Sequence, residues 1–563
     1  MEILRIENLN FAYPNSDKKA LDDISFSVNE GDFIVVCGRS GCGKTTLLKA
    51  IKREMTPHGA MDGRIVYNGV SLDKLDARTA AKDIGYVVQK PEGQIITDKV
   101  WHELAFGLES LGLSTPVIRR RVGEMANYFG IHHWFREDTK RLSGGQKQIL
   151  NLASVMAMQP QILLLDEPTS QLDPIAASEF ISTLYKLNRE LGLTIIIVEH
   201  RLEEVFPIAD KVMVMDESRI SVFAPPRSVW RNLTCINKDH PMIEALPSAV
   251  RIYSKLDGHG ADEECPLTVK EGRQFINNNY DERTTEKPKQ PAEKRNEIVL
   301  LKNVWFRYER DLPDILRGVS LKLFEGEIYC LLGGNGTGKT TTLNVASGLM
   351  KAYRGKVEIR GKAIQKYSKK ELYRSNVALL PQDTQTVFLK STVSEDYEEI
   401  TKTLCYDKQK TKRVIDEISQ KLNIGHLMAK HPYDLSGGEQ QKCALGKMLL
   451  LQPKILMLDE PTKGLDPFTK NALISTLKEL KGQGLTLFLV THDVEFACKI
   501  ADRCALFFDG EVMSEDIPSL FFAENNFYTT AANRMARRRF PYSVTVEDVI
   551  EQCMSHKKEK AGI

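Results

Sequence analysis

The sequence predicts an α/β fold built twice in tandem, each copy around a parallel sheet. First, landmark residues recur in one order at near-constant spacing. Lys44 and Lys339 lie 295 residues apart, as do Tyr13 and Tyr308; Gln89 and Gln382, Ser143 and Ser436, and Glu167 and Glu460 lie 293 apart; His200 and His492 lie 292 apart. Second, short apolar runs alternate with helical stretches such as 176–191, the pattern of strand–helix–strand units. Third, in each copy an apolar run enters a Gly-rich turn that opens a helix, FIVVCGRSGCGKTTLLKAI and IYCLLGGNGTGKTTTLNVA.

Each copy begins with strand alternation, Ile24-Ser25-Phe26-Ser27-Val28 and Val319-Ser320-Leu321-Lys322-Leu323. The Gly-rich turn follows, and later come paired buried-strand runs, ILLLDE then TIIIVEH, and ILMLDE then TLFLVTH. These limits place one domain at 1–223 and the second at 297–510, with a polar accessory segment and linker at 224–296 and an accessory tail at 511–563. The stretch 224–297 carries seven prolines and balances twelve basic against twelve acidic residues; within it 258–296 reads as a flexible linker. The tail contains RMARRR at 534–539, read as a solvated face or a small accessory subdomain.

A length of 563 residues fits three or four domains at roughly 150 residues each. Lys+Arg 77 against Asp+Glu 75 gives a net charge of +2, without the basic excess of a nucleic-acid-coating protein, so no nucleic acid is expected as a partner. The apolar runs are far shorter than the roughly 18–20 residues of a membrane-spanning helix. The first residues, MEILRIENLNFAY, lack the basic start and apolar stretch of a secretory signal. Ten cysteines without a CxxC pair argue against zinc ribbons and iron–sulfur clusters, and fit reduced thiols in a cytosolic compartment.

Gly38-Arg39-Ser40-Gly41-Cys42-Gly43-Lys44-Thr45 and Gly333-Gly334-Asn335-Gly336-Thr337-Gly338-Lys339-Thr340 match the P-loop pattern, with Thr46 and Thr341 next in the helix. Glycines let the backbone aim N–H groups at phosphate oxygens, and the following helix adds its positive end. Lys44 and Lys339 supply charge to the β- and γ-phosphates; Thr45 and Thr340 offer hydroxyls to magnesium. Cys42 reads as a small filler, since a reactive thiol needs a depressed pKa. Asp166 and Asp459 end apolar strands, where a carboxylate can hold magnesium. Glu167 and Glu460 follow and suit a general base toward water. His200 and His492 suit a hydrogen bond to the γ-phosphate, and Gln89 and Gln382 suit magnesium or the attacking water.

Leu142-Ser143-Gly144-Gly145-Gln146 and Leu435-Ser436-Gly437-Gly438-Glu439 complete an ordered motif set that resembles the ATP-binding-cassette (ABC) ATPases over 1–223 and 297–510. The resemblance implies two P-loop NTPase domains, each with a RecA-like parallel-sheet core, an antiparallel β subdomain and a helical signature subdomain. It implies two magnesium-dependent ATP sites, each joining the P-loop of one half to the signature of the other: Lys44 with Ser436, and Lys339 with Ser143. Tyr13 and Tyr308 match the aromatic that stacks on adenine, and Asp173 and Asp466 the segment that links the sites. Three positions depart from the pattern: Glu199-His200-Arg201 against Thr491-His492-Asp493, Gly334 for proline, and Glu439 for glutamine. None removes a catalytic group, so both sites are expected to hydrolyse ATP.

The segment 89–112, QKPEGQIITDKVWHELAFGLESLG, and EHRLEE at 199–204 resemble the energy-coupling-factor and cobalt-type importer ATPases. That resemblance implies a motor for uptake of a vitamin or metal ion. It would sit peripherally on the cytoplasmic face of the membrane, with a transmembrane coupling protein and a small membrane substrate-binding subunit as partners. The second half, PQDTQTVFLKSTVSEDYEEI, keeps only part of the pattern and implies an asymmetric grip. The alternative is a soluble double-cassette translation factor acting on the ribosome. Such proteins resemble one another in a basic helical connector, whereas this connector is charge-neutral and proline-rich. DNA-repair and chromosome-organising cassettes need zinc motifs or long heptad arms, which the sequence lacks.

Overall fold

A computed structural model describes residues 1–14, 16, 18–256, 264–281, 287–289 and 296–556. The chain divides into two units, Met1–Thr268 and Val269–Ile563. The first holds β1 (Glu2–Ala12), β2 (Leu21–Asn29), β3 (Phe33–Gly38), α1 (Lys44–Ile51), β4 (Ala60–Tyr67), β5 (Val70–Ser71), α2 (Ala77–Asp83), β6 (Ile84–Val87), α3 (Val100–Ser110), α4 (Thr115–Tyr128), α5 (Gly144–Ala157), β7 (Ile162–Asp166), α6 (Pro174–Leu191), β8 (Thr194–Val198), α7 (Leu202–Val205), β9 (Lys211–Asp216), β10 (Arg219–Ala224), α8 (Pro226–Ile236) and α9 (Ser248–Leu256). The second holds α10 (Val269–Asn279), β11 (Glu297–Phe306), β12 (Leu316–Phe324), β13 (Ile328–Leu332), α11 (Lys339–Ala346), β14 (Arg354–Ile359), β15 (Lys362–Ala363), α12 (Lys369–Tyr373), β16 (Val377–Leu380), α13 (Val393–Thr403), α14 (Lys408–Leu422), α15 (Gly437–Leu449), β17 (Ile455–Asp459), α16 (Pro467–Gly482), β18 (Thr486–Thr491), α17 (Val494–Ile500), β19 (Arg503–Phe508), β20 (Glu511–Asp516), α18 (Pro518–Glu524), α19 (Ala531–Ala536) and α20 (Val546–Ser555).

Each unit has the same two sheets. In the first, a six-stranded sheet runs β10-β9-β3-β8-β7-β6, parallel except for β10, beside a four-stranded antiparallel sheet β2-β1-β4-β5. The second repeats this as β20-β19-β13-β18-β17-β16 and β12-β11-β14-β15. β3, β7, β8, β13, β17 and β18 are buried at every residue, as strands covered on both faces must be. A helical layer in the first unit packs Leu104, Leu108, Val122, Ala126, Leu150 and Ala153 from α3, α4 and α5. Their spacing at three and four residues puts one apolar stripe on each helix.

Two readings from composition are corrected. The stretch read as a flexible linker contains α10, whose Ile276 is buried and which packs on α19 of the second unit. Arg273 of α10 donates from Nε and a terminal nitrogen to the Arg534 carbonyl (3.2 and 2.9 Å). Eleven residues suffice for one apolar face, which proline counts over the whole stretch conceal; within it 258–263, 282–286 and 290–295 lie outside the described residues. The boundary at 510 also falls between paired strands, because β20 joins β19 antiparallel. The RMARRR run belongs to a helical subdomain, with Arg537 donating to the Ala523 and Asn525 carbonyls (2.9 and 2.8 Å).

The copies differ where the segment after β16 packs on α15. Lys447 Nζ lies 2.6 Å from Asp396 Oδ1, both buried, and also donates to the Val387 carbonyl. Asp396 further accepts from the Leu389 and Lys390 N–H groups (3.0 and 3.2 Å). At the matching place in the first unit, Ser154 donates only to the Asn151 carbonyl (2.9 Å). Removing one partner of a buried ion pair strands the other, so Lys447→Met is expected to destabilise the second unit by about 3 kcal/mol. Ser154→Ala is expected to stay within about 0.5–1 kcal/mol of wild type; calorimetric melting of both variants checks the contrast.

Candidate functional site

The sheet order decides what meets at its carboxyl edge. Along β3-β8-β7-β6 the chain leaves β3 into the Gly-rich turn, β8 into His200, β7 into Glu167 and β6 toward Gln89. Four segments far apart in sequence therefore converge where α/β sheets bind ligands. β13-β18-β17-β16 repeats the arrangement with Lys339, His492, Glu460 and Gln382.

In the first unit Lys44 is buried, and its ammonium donates to the Gly38 and Arg39 carbonyls (2.9 and 2.8 Å). Gly43 precedes α1 at φ 98°, and a Cβ there would lie 2.2 Å from the Ala20 carbonyl oxygen, so only glycine fits. Thr45 donates to Asp166 Oδ1 (3.0 Å) and Tyr86 to Oδ2 (3.3 Å). Burial and the neighbouring Glu167 push the Asp166 carboxyl up, with the Thr45 bond opposing them. Glu167 accepts from Gln89 Nε2 (2.6 Å) and lies 2.8 Å from His200 Nε2. Its backbone sits at φ 45°, a left-handed conformation held by its N–H bond to the Val198 carbonyl (3.0 Å). That twist ends the strand and brings consecutive carboxylates to one edge. Tyr13 is 41% exposed, its ring standing over the turn with the hydroxyl 3.0 Å from Thr46 Oγ1. A cavity of about 1030 Å³ runs from Tyr13 and Arg219 past residues 40–46 to Glu167, large enough for a nucleoside triphosphate. Cys42 lines it, but burial pushes its thiol up, which suits a filler and not a nucleophile.

In the second unit Lys339 donates to the Gly334 carbonyl (2.7 Å) and lies 3.8 Å from Glu460 Oε1. Gly338 takes φ 106°, beside the Ile315 carbonyl. Glu460, at φ 47°, accepts the His492 backbone N–H (3.3 Å), and the same oxygen lies 2.9 Å from His492 Nδ1. Burial alone would raise its carboxyl, yet His492 and Lys339 hold it below the ordinary value. Asp459 is pushed up to about 6 by burial, against the hydrogen bond from Thr340. Tyr308 repeats the Tyr13 contact, its hydroxyl 3.1 Å from Thr341 Oγ1. Gln382 is exposed and is not brought to Glu460 by any hydrogen bond seen, unlike Gln89.

Ser143 and Ser436 cap α5 and α15, placing Gly144-Gly145 and Gly437-Gly438 in the first turns. Ser143 N–H donates to Gln146 Oε1 (2.9 Å), whereas the Ser436 hydroxyl itself donates to Glu439 Oε2 (2.8 Å). Asp173 and Asp466 cap α6 and α16 through bonds from Ala176 and Thr469 N–H groups (2.9 and 2.7 Å). Sequence reasoning missed Tyr86, replaced by Leu379 in the second unit, and Thr169, which donates from N–H and hydroxyl to Glu199.

A family model described as ABC transporter matches residues 21–170 and again 316–463, one match per unit. The chain belongs to the ABC transporter family. Relatives provisionally named ABC transporter ATP-binding proteins support this ABC assignment across the chain. One from Bacillus thuringiensis subsp. konkukian is 42% identical over 97% of this chain and 98% of its own. One from Methanosarcina acetivorans is 31% identical over 90% and 85%. Among solved structures, CbiO1 from Clostridium perfringens, part of the ABC transporter complex CbiONQ, is 27% identical (44% of this chain, 96% of that one, TM-score 0.40). The ABC cassette MJ0796, solved with ADP and phosphate, is 28% identical (39% and 99%, TM-score 0.36).

The chain is thus an ABC-type ATPase, binding and hydrolysing ATP. The family implies magnesium, and the second unit suits it: Asp459 Oδ1 is buried without a hydrogen-bond partner beside the Thr340 hydroxyl, a hard-oxygen pair suited to a cation.

The raised Asp459 carboxyl has a consequence for stability. Folded Asp459 holds its proton to about pH 6, while the unfolded carboxyl releases it near 3.8. Ionised Asp459 therefore costs the folded state about 3 kcal/mol above pH 6, a cost that fades as pH falls toward 3.8. Asp459→Asn is expected to raise the melting temperature of nucleotide- and metal-free protein at pH 7.5 and to give no gain at pH 4. Scanning calorimetry at both pH values checks it, and an equal gain at each contradicts the assignment.

Proposed function

We propose that this ATPase is the motor subunit of an importer of the energy-coupling-factor type. It drives uptake of a vitamin or metal ion through a transmembrane coupling protein and a small membrane substrate-binding subunit, at the cytoplasmic membrane face. The observation that carries this reading is an apolar surface on the coupling-like segment of the first unit. Ile96 is 69% exposed, Trp101 44% and Phe106 36%, within or beside α3. Three large apolar side chains left exposed on one short segment accord with an interaction site. The second unit has Ser394 and Glu399 at the places of Trp101 and Phe106, which accords with a grip mainly through the first unit. Among the described residues no helix is long and apolar enough to cross a membrane; this reading assigns the membrane path to the partners.

The site residues take these roles. Residues 38–46 and 333–341 wrap the triphosphate, with Lys44 and Lys339 on the β- and γ-phosphates. Tyr13 and Tyr308 stack on the base. Thr45 with Asp166, and Thr340 with Asp459, would hold magnesium, which would supply charge screening on the phosphates; Gln89 stands beside the first pair through its bond to Glu167, whereas Gln382 is exposed. Glu167 and Glu460 accept a proton from water as its oxygen bonds to the γ-phosphorus and the bond to ADP breaks. Gln89 orients Glu167, and His200 and His492 bridge base and phosphate. Ser143-Gly144-Gly145 and Ser436-Gly437-Gly438, each in the first turn of a helix, supply N–H groups suited to a γ-phosphate.

Glu167→Gln or Glu460→Gln is expected to lower turnover at that site by about 10²–10⁴. Wild-type turnover by the double variant contradicts the base assignment. Affinity purification of the tagged chain from detergent-solubilised membranes is expected to recover integral membrane proteins. Replacing Ile96, Trp101 and Phe106 by serine is expected to release them while ATP turnover persists. Recovery of ribosomes without a membrane protein favours the translation-factor reading instead.

A further inference from the structure

The two sites present their histidines differently, and the difference begins at the residue before each histidine. In the second unit that residue is Thr491, whose hydroxyl accepts from Asp493 N–H (3.0 Å). The His492 backbone N–H is then available to Glu460, and one carboxylate oxygen meets both it (3.3 Å) and Nδ1 (2.9 Å). Nδ1 is the ring nitrogen near the backbone, so a carboxylate that takes the N–H meets Nδ1.

In the first unit the preceding residue is Glu199, 2% exposed. Its Oε1 accepts from both Thr169 N–H (3.0 Å) and the Thr169 hydroxyl (2.7 Å), and its Oε2 accepts from His200 N–H (3.2 Å). The backbone group that serves Glu460 in the second unit is thereby diverted from Glu167. Glu167 is instead reached by the distal nitrogen, His200 Nε2, at 2.8 Å, and by Gln89.

We propose that Glu199 is a positioning residue of the first site. By taking the His200 N–H while anchored on Thr169, it turns the imidazole so that Nε2 faces Glu167 and Nδ1 becomes the nitrogen turned toward substrate. Which ring nitrogen carries the proton follows from the hydrogen bond the other makes, so the exchange of Glu199 for Thr491 sets opposite tautomers at the two sites. The consequence for turnover rests on the roles given above to Glu167 and His200; the ring orientation does not.

Imidazole nitrogen-15 spectra of the full, nucleotide-free chain read the ring directly, with signals assigned by His200→Asn and His492→Asn. Wild-type His200 is expected to carry its proton on Nε2. Glu199→Thr is expected to move it to Nδ1 and to leave the His492 signals in place. A His200 spectrum unaltered by Glu199→Thr, in protein of wild-type melting temperature, overturns the proposal. If Glu199→Thr does not fold, Thr491→Glu supplies the converse test: the His492 proton is expected to move from Nδ1 to Nε2, and an unmoved proton overturns the proposal equally. In a Glu460→Gln chain, where turnover comes from the first site, turning the ring is expected to lower kcat about 10-fold while KM for ATP stays within about twofold. A turned ring with unchanged kcat leaves Glu199 as the positioning residue and refutes the assignment of Glu167 and His200 to the chemistry.

Discussion

A buried ammonium held by backbone carbonyls is the constraint on which both sites depend. Lys44 leans on the carbonyls of Gly38 and Arg39, and Lys339 on that of Gly334. A cation with so little water is costly to bury, and neutral carbonyls offset only part of the cost, so an anion arriving in the turn is strongly favoured. The glycine before each lysine must adopt φ near 100° to keep the turn closed on that charge. Everything else at the sheet edge is arranged around the place this creates for phosphate.

From that shared base the sites diverge through neighbouring groups. Asp166 receives a Tyr86 hydroxyl where Leu379 offers none, so its second oxygen is engaged while Asp459 keeps an orphaned one. Glu167 is met by Gln89, and Glu460 by the ammonium of Lys339. Glu199 and Thr491 sit one residue before the histidines and change the partner of a single N–H group. Duplication has kept the reacting groups and let their supports drift, as expected of sites whose positioning comes from outside the reacting set.

Much of this was legible in the sequence. The repeat spacing and buried-strand runs indicated two parallel sheets, and the motif order named the groups that the strand order gathers at one edge. The polarity of β20, EVMSED, hid an edge strand that pairs on one side only. The helix α10 is short, and its apolar face is satisfied by a helix more than 250 residues later. Gln382 follows its strand as Gln89 does, yet Asp383 caps the next turn by accepting from Gln385 N–H (3.0 Å), and the glutamine is left at the surface. Glu199 was visible as a departure, but its partner Thr169 lies thirty residues earlier and only the adjacency of β7 and β8 joins them.

The most direct test is the number of nucleotides each chain holds. Calorimetric titration with magnesium and a non-hydrolysable ATP analogue is expected to give two per wild-type chain, one for Lys44→Ala, one for Lys339→Ala and none for the double variant. A wild-type chain that binds one, or a double variant that still binds two, contradicts the assignment of a phosphate site to each glycine turn.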